Sequence, residues 1–123
     1  MKLIVQPEGS YLCGQACVAM AGGVSLQRAS SVIGHERATS TKDVRDALRE
    51  LGLECADKLV RVSRARPQLP ERAIVVIHRP AVPGERSAHW HWMLSWHGKM
   101  YDPGDRWPAG YDKWRITSYL EIK

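Results

Sequence analysis

The 123-residue sequence predicts an α+β fold in which N-terminal helices pack on a C-terminal antiparallel sheet. Two patterns carry this expectation. Helical apolar spacing closed by glycines is confined to the stretch ending at Gly52, and short β-branched or aromatic runs separated by Pro- and Gly-bearing segments fill the remainder. At 44% apolar and 25% charged the composition is ordinary for a globular protein, and the length suffices for one core but not two. A single domain over residues 1–123 is expected, without repeats or low-complexity tracts.

The first helix is read from Cys13, Ala16, Cys17 and Met20, which recur at i, i+3, i+4 and i+7. Gly9 and Ser10 interrupt any strand before it, Gly14 permits a tight turn, and Gly22-Gly23 closes it. Ser25 leads into a short second helix with Leu26, Ala29 and Ile33 on one face and Gly34 at its end. In the third, Ser40 with Asp43 resembles a capping box, Val44, Ala47, Leu48 and Leu51 form the apolar face, and Gly52 stands at the stop position.

Strands are expected over Leu59 to Val62, Ala73 to His78, His89 to Trp96, Lys99 to Asp102 and Arg115 to Ile122. The third alternates with period two, so that Trp90, Trp92, Leu94 and Trp96 share one face, assigned to the core, while His89, His91, Met93 and Ser95 share the other. His97-Gly98 reads as a two-residue hairpin turn. That register sets Trp96 against Lys99 and Met93 against Asp102, leaving Asp102 diagonal to His91 and two residues further from His89. Pro80 to Arg86 and Gly104 to Gly110 read as loops flanking this hairpin.

These placements bring a chemistry into view. A thiol at a helix N-terminus beside an imidazole is disposed to act as the thiolate, the nucleophilic form. Cys13 fits that place, whereas Cys17, one turn later among Ala16, Val18 and Met20, reads as a small buried apolar residue. His91 is the histidine that Asp102 can orient, fixing its tautomer so that the other ring nitrogen takes the thiol proton. Acyl transfer also needs donors for the developing oxyanion, for which the Cys13 backbone N–H and the Gln6 side-chain amide are candidates.

Gln6, the block Cys13-Gly14-Gln15-Ala16-Cys17-Val18-Ala19-Met20, His91-Trp92 and Asp102-Pro103 together resemble the compact bacterial papain-like cysteine peptidases, especially those that process bacteriocin leader peptides. The resemblance spans most of the chain. It implies a papain-like fold with Gln6 in the oxyanion hole, Cys13 as nucleophile, His91 as base and Asp102 as its orienter. The sequence departs from the family in two places: Leu12 stands where an acidic residue usually precedes the cysteine, and Gln6 lies one residue further from it than is general.

The substrate expected is a peptide or protein amide, attacked through a thioester acyl-enzyme without metal or cofactor. Resolution by water makes a peptidase, isopeptidase or glutamine deamidase, and resolution by an amine a transferase; a cysteine peptidase or amidohydrolase is expected, with an effector-type toxin or glutamine deamidase or transferase on the same fold as the runner-up. A net charge of +5 permits an acidic partner. The basic residues between Lys58 and Arg72, including Arg61, Arg64, Arg66 and Arg72, are scattered among apolar positions without a nucleic-acid recognition signature and read as a solvated face. A zinc site on Cys13, Cys17, His89 and His91 is a weaker alternative that leaves Gln6 and Asp102 without a role. A catalytically inactive binding module on the same fold is another. Three cysteines make no disulfide framework. With neither a signal peptide nor a membrane span in the sequence, the expected place is the cytoplasm, or a target cell's cytosol reached without an N-terminal signal.

Overall fold

The computed structural model describes residues 1–63 and 68–123 and shows three helices packed on a five-stranded antiparallel sheet. The helices are α1 (Cys13–Gly22), α2 (Leu26–Ile33) and α3 (Thr41–Glu50). The strands are β1 (Val60–Arg61), β2 (Arg72–Arg79), β3 (His89–Trp96), β4 (Lys99–Tyr101) and β5 (Arg115–Glu121), in the spatial order β1-β5-β2-β3-β4. Arg64 and Arg66 lie outside the described residues.

Local chemistry explains the helix ends. Ser40 Oγ accepts from the Asp43 N–H while the Asp43 carboxylate accepts from the Ser40 N–H, the reciprocal capping box expected at α3. Ser25 caps α2 in the simpler way, accepting from Arg28 N–H. Helix α1 differs from the one-faced helix expected: every residue from Gly14 to Ala21 is buried, so its apolar residues run all the way round. It is the central helix, touching α2, α3 and β3.

The sheet is apolar on both faces. Ile74, Leu94 and Leu120 meet Val18, Val44 and Leu48 on the helix side, while Ala73, Val75, Ile77, Met93 and Tyr111 form a second cluster on the other. The β3–β4 hairpin has the expected register, with Trp96 opposite Lys99 and Leu94 opposite Tyr101. His97 at φ 48° and Gly98 at φ 82° form its turn, the positive-φ geometry that matches strand twist.

Three expectations are corrected. Trp90 is 62% exposed rather than in the core, because the helices cover the sheet only from Trp92 inward. β4 ends at Tyr101, so Asp102 leaves the ladder and is free to turn its backbone around its own carboxylate. Gly14 lies inside α1 and does not turn the chain; its lack of a side chain matters because a Cβ there would stand 2.0 Å from Thr39 Oγ1.

Candidate active site

Cys13 occupies the first position of α1, after Leu12, and is partly exposed. The segment leading to it is tied to the hairpin by one backbone hydrogen bond, from Gln6 N–H to the Pro103 carbonyl at 2.8 Å. Helix α1 packs on β3, the strand that carries His91.

His91 Nε2–H donates to Asp102 Oδ1 at 2.6 Å, and the Cys13 thiol lines the same cleft, near enough to make the ring more basic. With Nε2 committed to the carboxylate, Nδ1 is the nitrogen left for sulfur. Burial pulls the His91 pKa down, yet the hydrogen bond to Asp102, the Cys13 thiol and the charges of both outweigh it and push it from 6.5 up to about 9. Asp102 is buried, which by itself raises a carboxyl's pKa, but bonds from His91 and from the Arg106 and Gly104 N–H groups hold it below the ordinary range. The two backbone donors both lie at 2.8 Å.

Gln6 shares a cleft with Cys13 and His91. Its Nε2 donates to the Ser10 carbonyl at 3.0 Å, which fixes the amide plane and uses one of its two N–H groups, and its Oε1 is buried without a partner among the described residues. The four expected residues therefore meet at one place.

Around them stand groups that the sequence did not single out. Tyr111, buried in the loop between β4 and β5, lies 5.6 Å from the His91 ring at an interplanar angle of 17°. Trp114 packs edge-on against it at 5.1 Å, and the Arg106 guanidinium lies 5.3 Å from its ring centroid. Burial, then the charge of Asp102, push the Tyr111 hydroxyl's pKa above its usual value. Gly104 is the contact point, for a Cβ there would stand 3.0 Å from Tyr111 Oη and 3.2 Å from Asp102 Oδ1. The available signal was Asp102-Pro103-Gly104: an aspartate opening a tight turn accepts from the backbone two residues on. Nothing local marked Tyr111.

The remaining candidates separate from this centre. Cys17 is fully buried, and its thiol's pKa is pushed well up by burial first and then by Cys13 and Asp102. His89 turns to Glu85, whose carboxylate also pairs with both Arg79 terminal nitrogens at 2.9 and 3.0 Å. Arg79 first, then the Val82 N–H and His89, lower the Glu85 pKa to about 2. The zinc alternative thus loses two of its four ligands, and no three His, Cys, Asp or Glu side chains converge as a metal site among the described residues. No described helix is long and apolar enough to cross a membrane.

The cleft has a volume of about 980 Å³ and is lined by Gln6, Cys13 and His91, by sheet residues, and by Ala38, Thr39, Ser40 and Thr41. Comparison of the chain with protein-family models, with curated proteins and with solved structures returned no match.

Proposed function

We propose that the chain is a papain-like cysteine peptidase or amidohydrolase acting on a peptide or protein amide. The observation that carries this reading is the placement of one imidazole between a buried carboxylate and the thiol at a helix start. A histidine made this basic is a good acceptor for the thiol proton. Cys13 Sγ attacks the amide carbon, and the oxyanion accepts from the Cys13 backbone N–H and the free N–H of Gln6. His91 then gives its proton to the departing nitrogen. Water, its proton taken by the same ring, hydrolyses the thioester and frees the thiol.

In this scheme Asp102 holds the ring orientation, and its two backbone donors keep the carboxylate ionised in a buried place. Tyr111 closes the far face of the ring. Release of ammonia from a glutamine side chain uses the same steps as cleavage of a backbone amide, so deamidation, or transfer to an amine, remains the alternative within this chemistry. The test is a proteome-wide comparison of new N-termini and deamidated glutamines in a lysate mixed with active protein or with Cys13→Ala. Products that need Cys13 support the reading; identical peptide sets contradict it.

A further inference from the structure

The sheet forms part of the cleft lining, and its register shows what a substrate meets beyond the thiol. Across β3, β2 and β5 one row runs Trp90, His78, Arg115. The next row inward runs Trp92, Val76, Ser118 and, on β1, Arg61. All of these line the cleft, and no Asp or Glu does so among the described residues. Arg61 and Arg115 are both exposed and form no ion pair among the described residues, whereas Arg45, Arg49 and Arg79 each have a carboxylate. Two guanidinium groups therefore line an open cleft without a carboxylate partner among the described residues.

We infer that this cleft takes an extended acidic peptide segment, with Asp or Glu side chains pairing with Arg115 and Arg61 while the exposed Trp90 packs against the chain. Neighbouring strands are about 4.8 Å apart, which sets Arg115 about 10 Å and Arg61 about 14 Å from the strand that carries His91. At about 3.3 Å per extended residue, the acidic positions fall about three to four residues from the amide held at Cys13. The inference rests on the proposed chemistry, in which the substrate amide is held at Cys13.

The test measures protection of Cys13 from iodoacetamide by acetylated, amidated octapeptides of glutamate, glutamine or lysine, with the modified cysteine identified by mass spectrometry. Octaglutamate should halve the rate at a concentration about five-fold or more below that needed of octaglutamine, an advantage of the size two exposed ion pairs supply, and octalysine should not protect. About 0.5 M NaCl should erase the difference. Arg61→Gln with Arg115→Gln should abolish it, while Lys2→Gln with Lys113→Gln, an equal charge change away from the cleft, should preserve it. Equal protection by the three peptides, or equal loss in both double variants, overturns the acidic-segment reading and leaves the thiol chemistry standing. A Cys13 that iodoacetamide modifies no faster than Cys17 or Cys55 defeats the functional reading itself, and this one with it.

Discussion

Asp102→Asn changes the hydrogen-bonding sense of one atom in a carboxylate ringed by donors. Oδ1 accepts from His91 Nε2 and from the Gly104 N–H, and Oδ2 from the Arg106 N–H. An amide has one oxygen and one NH2, so the variant has two orientations. With oxygen toward His91, the NH2 confronts the Arg106 N–H and leaves a buried donor unpaired, at about 1–3 kcal/mol. With oxygen toward Arg106, the NH2 confronts the Gly104 N–H and makes His91 accept at Nε2, which moves the ring proton to Nδ1. The nitrogen facing Cys13 then cannot take the thiol proton, and kcat should fall by ~10²–10⁴.

The same substitution removes a carboxylate that lifts His91. A rise from 6.5 to about 9 corresponds to about 3 kcal/mol between the two protonation states. Since the folded value lies above the unfolded one, this stability is complete below pH 6.5 and is lost as pH rises through about 9. Asp102, depressed in the fold, contributes in the opposite sense: its stability is present above the ordinary carboxylate range and is lost as pH falls through its folded value. Thermal unfolding from about pH 5 to about pH 10, with an NMR titration of the His91 ring, reads the His91 effect, and scans continued below about pH 4 read that of Asp102. The wild type should melt progressively lower above pH 6.5, and Asp102→Asn should start lower and decline less. A variant that melts like wild type near neutral pH, with His91 still titrating near 9, would refute the reasoning.

Cys13→Ala should abolish turnover and leave the melting temperature nearly unchanged, whereas Cys17→Ala should keep activity and lose of order 1 kcal/mol in chemical denaturation, because only Cys17 is wholly buried. Gln6→Ala should lower kcat by ~10²-fold with little change in KM in steady-state kinetics, and should leave Cys13 alkylation unaltered. Gly14→Ala should destabilise by about 1–3 kcal/mol as its methyl meets Thr39, with Thr39→Ala in the same chain restoring part of the loss in denaturant unfolding.

The parts of the site legible in the sequence are those determined by short-range geometry. A two-residue turn with strict alternation on one side leaves one hairpin register, and that register put Asp102 beside His91 rather than His89. The helix start at Cys13 and the cap at Ser40 were equally local. Other features depend on residues far apart in the chain meeting in space. Tyr111 reaches His91 from a loop with no periodicity, and Gly14 is small because Thr39 passes it from the α2–α3 connector. Trp90 obeys the alternation that assigned it to the core, yet how far three helices extend over a strand is not written in the strand. Arg61 and Arg115 stand 54 positions apart in sequence, and only the pairing of β1 with β5 brings both to one cleft.

The central claim is that Cys13 is made a nucleophile by His91. Its most direct measurement is the rate of Cys13 carbamidomethylation at neutral pH in wild type, His91→Ala and His89→Ala, resolved from Cys17 and Cys55 by mass spectrometry. Cys13 should react far faster than the two buried thiols, whose pKa values burial raises. His91→Ala should lose that advantage and His89→Ala, whose ring is engaged with Glu85, should keep it. A Cys13 that reacts at the same rate with and without His91, or that responds to His89 instead, would contradict the account.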